Sequence, residues 1–131
     1  MPILDHVAVN VTDYARSRRF YERALEPLGI RVVMEFGSYC GFGRDKPDFW
    51  IGAGAASYQR SAQLAPITPV HVAFAARSPA EVDAFWTAAM EGGATDYGPP
   101  GPRPQYHPGY YGAFVLDPDG HNIEAVVHGA A

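Results

Sequence analysis

Hydrophobic and polar residues follow the same order of patterns twice along the chain. Residues 3–9 alternate in type and are rich in β-forming residues, which predicts a strand that contains His6. Apolar residues then recur every three or four positions after Asp13, a residue suited to cap a helix. A second predicted strand at 70–74 contains His71, and Ser78-Pro79-Ala80-Glu81 is a capping box that opens a second helix.

Several short strands are predicted after each helix. In the first half they cover 31–36, 39–43 and 48–52. In the second half, strands at 111–116 and 121–127 flank the turn Asp117-Pro118-Asp119-Gly120. Between the halves lies a stretch without periodicity, so we expect a first module at about 1–54, a connection at about 55–68 and a second module at about 69–129.

The second half is an internal repeat of the first. A shift of 65 residues places His6 on His71 and Phe20 on Phe85. Each half is too small to bury much apolar surface alone, so we expect the two to share one core and to enclose a concave space. The sequence therefore predicts an α+β fold with two βαβββ modules in a single domain over 1–131.

Composition excludes several other classes of protein. The chain has 47% hydrophobic and 18% charged residues, enough for a core, while 14 Gly and 12 Pro exclude a long helical bundle. The net charge is −4, and residues 66–131 contain only two cations, Arg77 and Arg103, which disfavours a nucleic-acid partner. Cys40 is the single cysteine and cannot form an internal disulfide. Without a signal segment or a long apolar run, we expect a soluble, cytoplasmic protein with a small-molecule substrate.

His6 and His71 are candidate metal ligands because they occupy equivalent positions of the repeat. Symmetric pairing of the halves would bring both imidazoles near the axis, and Glu124 would reach the same face from the last strand. Two imidazoles and one carboxylate suit a divalent ion such as Zn, Fe, Ni, Mn or Co. Each histidine is also compatible with an ordinary hydrogen-bonded strand residue, and Glu124 with an exposed strand edge. His121 and His128 are interpreted as surface residues.

The segment from Gly98 to Gly109 contains five prolines and predicts an extended wall or lid over a pocket. The segment and the residues that follow it contain several polar side chains. We expect substrate binding by Arg103, Tyr106 and Tyr110, and proton transfer by His107, Tyr111 or the carboxylate of Glu124. A surface loop with aromatic anchors is the alternative.

The motifs together resemble the vicinal oxygen chelate superfamily, which includes glyoxalase I, extradiol dioxygenases and bleomycin resistance proteins. The resemblance rests on the residues around His6 and His71, on Phe20-Tyr21, and on the run from Asp117 to Glu124. It implies a cup-shaped, partly open barrel of mixed sheet, a divalent metal on His6, His71 and Glu124, and a homodimer.

The chain departs from the glyoxalase I pattern at the fourth ligand. The repeat places Trp50 where a glutamate would complete the set, and an indole cannot coordinate a metal. Asp48, two residues away on the same strand face, is a possible substitute. This departure argues against a strict lactoylglutathione lyase and is compatible with a site of two histidines and one carboxylate.

Two functions follow as hypotheses. The first is a small metalloenzyme that binds vicinal oxygens of its substrate and carries out lyase, isomerase or dioxygenase chemistry. The second is a metal-free protein that sequesters an aromatic compound, with Trp50, Phe42 and Phe49 lining an apolar pocket.

Overall fold

The computed structural model describes residues 3–54 and 67–129, which form two modules of the same topology. The first contains β1 (Val7–Asn10), α1 (Tyr14–Leu25), a short 3-10 turn (Glu26–Leu28), β2 (Arg31–Phe36), β3 (Tyr39–Gly43) and β4 (Phe49–Gly52). The second contains β5 (His71–Ala75), α2 (Pro79–Glu91), β6 (Thr95–Pro102), β7 (Tyr111–Leu116) and β8 (Asn122–Val127). The connection predicted at about 55–68 lies largely outside the described residues.

The strand order is the same in the two sheets, β1-β4-β3-β2 and β5-β8-β7-β6. In each, the first strand pairs in parallel with the last, and the other pairs are antiparallel. The predicted α+β fold of tandem modules is therefore confirmed. No strand pairing joins the two sheets within the described residues, so they do not close a barrel there.

Helix boundaries follow the predicted caps. The Asp13 side chain accepts a hydrogen bond from the Arg16 N–H at the start of α1, and the Ser78 hydroxyl accepts one from the Glu81 N–H at the start of α2. Neither helix in the described ranges is long and apolar enough to cross a membrane.

Each sheet has one face against the helices and one open face. Strand residues that face the helices are buried, among them Val9, Phe42, Ile51, Phe74, Val115 and Ile123. Residues on the alternating positions form what we call the open face, which includes Ala8, Trp50, Ala73, Phe114 and Glu124. The helices α1 and α2 contact each other, and the buried residues of both modules form one core.

The Asp117–Gly120 turn joins the two modules. The Asp117 carboxylate is buried; it accepts hydrogen bonds from the Tyr21 hydroxyl of α1 and from the backbone N–H of His121. His121 is only 1% exposed, so its interpretation as a surface residue is wrong. Its Nδ1 accepts from the Val70 N–H (3.1 Å) and its Nε2 donates to the Asn10 carbonyl (2.8 Å), which links the end of β1 to the residue before β5.

The proline-rich segment is more regular than expected. Its first part belongs to β6, which pairs only with β7 and is interrupted by register shifts on either side of Gly98. Prolines are tolerated there because an edge strand needs hydrogen bonds on one side only. The remaining residues, 103–110, form the hairpin loop, which is closed by the Arg103 N–H to Tyr110 carbonyl bond of 2.8 Å.

Candidate functional site

Glu124 and His71 meet on the open face of the second sheet. Glu124 lies in the central strand β8, opposite Ala73 of β5 and Phe114 of β7, and is only 2% exposed. Its Oε1 is 3.1 Å from Nε2 of His71, whose side chain is 48% exposed. The structure therefore brings these two of the predicted site residues together.

The hydrogen bonding of His71 determines which of its nitrogens is available. Nδ1 lies 3.1 Å from the backbone carbonyl oxygen of Asn122, an acceptor, so Nδ1 carries a proton. In the neutral ring Nε2 then presents a lone pair toward the Glu124 carboxylate. Two lone pairs do not face each other at 3.1 Å unless a proton or a cation lies between them.

The chemistry of this pair fits a divalent metal. Two donors each about 2.0–2.2 Å from one ion are roughly 3–3.5 Å apart at ordinary coordination angles, and the observed spacing is 3.1 Å. Nδ1 of His71 donates a hydrogen bond to the Asn122 carbonyl, and such a bond commonly orients an imidazole that binds a metal. In addition, Oδ1 of Asn122, on the same strand face as Glu124, is buried without a hydrogen-bond partner.

His6 does not join this pair within one chain. It lies just before β1, exposed, in a cleft of about 290 Å³ that Asp48, Val72 and Ala73 also line. Residues 3–54 and 67–129 contain no group of three His, Cys, Asp or Glu side chains placed to hold a metal ion. Of the three predicted ligands, the single chain therefore brings together two.

His6 is nevertheless oriented as a ligand would be. Its Nδ1 is 2.6 Å from the Asp5 carboxylate. The hydrogen bond with His6, together with the charge of Lys46, lowers the pKa of Asp5, so Asp5 accepts and Nδ1 donates. Nε2 of His6 is left as the lone-pair nitrogen, as in His71. Asp48, the possible fourth ligand, is ion-paired with Lys46.

Trp50 occupies the position in the first sheet that Glu124 occupies in the second. Trp50 pairs with Ala8 as Glu124 pairs with Ala73, which agrees with the alignment of the repeat. The indole stacks on Phe36, with ring centroids 6.3 Å apart and planes 10° from parallel. It lies over Gly41, where a Cβ would be 2.9 Å from the ring.

The expected binding residues divide between the two sides of the sheets. On the open face, Arg103 lies 5.8 Å from the centre of the Phe114 ring, and that ring stacks on His71 at 6.1 Å. Tyr110 donates a hydrogen bond from its hydroxyl to Oε2 of Glu124. Phe42 is fully buried against Tyr21 and Phe49 and does not reach the open face.

Glu124 forms no hydrogen bond with Tyr106, His107 or Tyr111 in the described part of the chain. The Tyr111 hydroxyl donates to Asp83 of α2 at 2.7 Å, because neighbouring strand residues point to opposite faces. His107 stacks on His128, with Nε2 and Nδ1 2.8 Å apart, and its ring meets that of Tyr110 edge-on. Tyr106 is exposed and contacts the Tyr110 ring. The contact of Tyr110 with Glu124 depends on the pairing of β7 with β8, which places Gly112 next to both side chains.

Comparison with solved structures gives the same architecture. A glyoxalase/bleomycin resistance protein from Albidiferax ferrireducens is 30% identical, with 97% of this chain and 100% of that one covered and a TM-score of 0.79. A glyoxalase/bleomycin resistance protein/dioxygenase family enzyme from Burkholderia phytofirmans is 20% identical, covers 95% and 97%, and has a TM-score of 0.74. The oxidase ChaP-H2 is 24% identical, covers 100% and 97%, and has a TM-score of 0.63. The last two likenesses show the fold alone.

The family itself is shown by sequence. Comparison with curated proteins gives no match. The family model for the Glyoxalase/Bleomycin resistance protein/Dioxygenase superfamily, however, matches residues 3–125, almost the whole chain. The motifs around His6, His71 and Glu124, the repeated topology and the match agree, and the chain belongs to the Glyoxalase/Bleomycin resistance protein/Dioxygenase superfamily.

Proposed function

We propose that this protein is a metal-dependent enzyme whose small substrate offers two adjacent oxygens to a divalent ion held by His71 and Glu124. The observation that carries the proposal is the pairing of Nε2 of His71 with Oε1 of Glu124 at 3.1 Å, with the proton of His71 on Nδ1. A bound divalent ion would supply Lewis-acid polarisation of the substrate oxygens. Lyase, isomerase and dioxygenase chemistry are all compatible with such a donor set.

We propose further that His6 of a partner subunit completes the donor set in a homodimer. Within residues 3–54 and 67–129, His6 is separate from His71 and Glu124, its Nε2 has no hydrogen-bond partner, and its side chain is exposed. Two-fold pairing is the commonest symmetry of small oligomers and would create two equivalent sites. Trp50 leaves the first sheet without a carboxylate at the position equivalent to Glu124, so the complete set has two histidines and one carboxylate.

The positive charge of Arg103 favours an anionic substrate. Its guanidinium is held by the carbonyl oxygens of Pro99 (2.6 Å) and Pro102 (3.4 Å), and it lies over Phe114. The other cation of the second module, Arg77, pairs with Glu81. In the described residues Arg103 forms no ion pair with a carboxylate, so its charge is available to a substrate that reaches the site beside His71.

Metal analysis of hybrid dimers tests both proposals. We expect the wild-type protein, titrated with Zn, Fe, Ni, Mn or Co, to bind one ion per subunit, and His6→Ala and Glu124→Gln homodimers to bind weakly or not at all. A hybrid dimer with one subunit of each variant can be purified through different charge tags. One of its sites has His6, His71 and Glu124 intact, and the other has lost both His6 and Glu124. The hybrid should bind one ion per dimer with the wild-type dissociation constant.

Each proposal has its own contradicting outcome. A hybrid that binds no better than either homodimer would show that His6 does not act across subunits. A wild-type protein that takes up none of the five ions would refute the metalloenzyme itself.

A metal-free binding protein for aromatic compounds is the second candidate. It is favoured by the aromatic cluster that Phe36, Tyr39 and Trp50 form on the open face of the first sheet. Phe36 is 61% exposed, an unusual state for so large an apolar side chain. The rings rest over Gly41 and Gly52, where side chains would collide with Trp50 and Tyr39. Such a surface offers stacking to a planar ligand.

A further inference from the structure

The two oxygens of the Glu124 carboxylate have different partners. Oε1 is directed at His71, and Oε2 accepts the hydrogen bond from the Tyr110 hydroxyl. Gly112 makes room for this arrangement, since a Cβ there would lie 3.1 Å from Oε2 and 3.1 Å from Cε1 of Tyr110. Glu124 is thus buried with one oxygen available toward His71 and the other already engaged.

The Tyr110 ring is itself held on several sides. Its centroid lies 4.9 Å from that of Tyr106, 5.3 Å from that of His107 and 5.3 Å from that of His128, all in edge-on contacts. The two histidines are joined to each other, and Nδ1 of His107 donates to the carbonyl of Pro108 at 2.8 Å. The phenol therefore has little freedom to swing away from Glu124.

We propose that Tyr110 is a positioning residue that restricts Glu124 to metal coordination through a single oxygen, Oε1. The inference rests on the proposed function of the His71 and Glu124 pair, and it assigns Tyr110 a role different from the substrate binding expected from sequence. Without the hydroxyl, Oε2 would be a buried acceptor lacking a donor. The carboxylate would then be free to turn and offer both oxygens to the ion.

The test is Co²⁺ binding by the Tyr110→Phe variant, with Tyr111→Phe as the matched control. The control removes the neighbouring hydroxyl, which bonds Asp83 on the other side of the sheet. Loss of a partner that orients a metal ligand typically weakens affinity by roughly 10–100-fold, so calorimetry should show this loss in Tyr110→Phe and wild-type affinity in Tyr111→Phe. The visible absorption of bound Co²⁺ should weaken in Tyr110→Phe, because a second carboxylate oxygen raises the coordination number.

The possible results separate this inference from the proposed function. A wild-type protein that binds no Co²⁺ refutes the proposed metal site and this inference with it. If wild type binds Co²⁺ while Tyr110→Phe has the wild-type dissociation constant or the wild-type spectrum, the metal site stands and the role of Tyr110 is wrong. Thermal unfolding of the metal-free variants verifies that both are folded.

Discussion

Replacing Glu124 by glutamine should separate the function of this residue from its contribution to stability. Glu124 is 2% exposed, and its oxygens contact a histidine nitrogen and a phenol. In Glu124→Gln the amide N–H can donate to Nε2 of His71, and the amide oxygen can accept from Tyr110. Every hydrogen bond is kept, whereas the buried charge is removed.

The expected magnitudes follow from that exchange. In the metal-free protein the exchange removes the desolvation cost of a buried carboxylate while both of its hydrogen bonds are kept. The metal-free variant should therefore be at least as stable as wild type. A divalent ion at about 100 times its dissociation constant stabilises the folded state by about 2.7 kcal/mol. For a chain of this length that corresponds to roughly 10 °C in Tm, and the variant should lose this gain.

The assay is thermal unfolding with and without the ion that wild type binds. Glu22→Gln is the control, because Glu22 is an exposed carboxylate on α1 that pairs with Arg18; it should keep the full metal-dependent rise. A metal-free Glu124→Gln protein less stable than wild type by more than about 1 kcal/mol would show that the negative charge of Glu124 itself stabilises the fold. An undiminished rise with metal would exclude Glu124 as a ligand.

Two further predictions concern the module junction and the aromatic cluster. Tyr21→Phe removes one donor from the buried Asp117 carboxylate and should lower the free energy of unfolding in urea by about 1.5–3 kcal/mol. In the control Tyr111→Phe the partner Asp83 is exposed, so the loss should be less than about 1 kcal/mol. Equal losses in the two variants would contradict the role of Asp117 at the module junction. For the second candidate function, planar aromatic compounds should quench the fluorescence of Trp50 in metal-free protein, and Phe36→Ala should abolish saturable quenching. Quenching that persists in Phe36→Ala would place the ligand elsewhere.

Local patterns were sufficient for most of the fold. The caps at Asp13 and Ser78 and the strands at 31–36 and 39–43 depend on neighbours within a few residues, and the structure has them as expected. Two strands are exceptions. Only Val7–Asn10 pair with β4, so His6 lies outside the first strand, and Thr95–Pro102 form the strand β6 although the proline-rich segment was expected to be an extended wall or lid. A pattern of residue types does not reveal where the partner strand ends.

The pairing of His71 with Glu124 was also accessible from sequence. Strand alternation and the repeat predicted that both side chains lie on the concave face, and the structure adds that β5 and β8 are neighbours with Ala73 opposite Glu124. The separate position of His6 was not accessible from sequence, because repeat symmetry is equally compatible with two histidines meeting within one chain or between two chains.

Sequence patterns establish the repeated module, the alternation of strand residues between two faces, and the family. The packing of the elements establishes that Phe42 is core, that His121 is buried between the modules, and that Tyr110 reaches Glu124. These contacts join residues that lie on different strands or in different modules. Their geometry depends on sheet register and on the packing of one module against the other, which no local pattern contains.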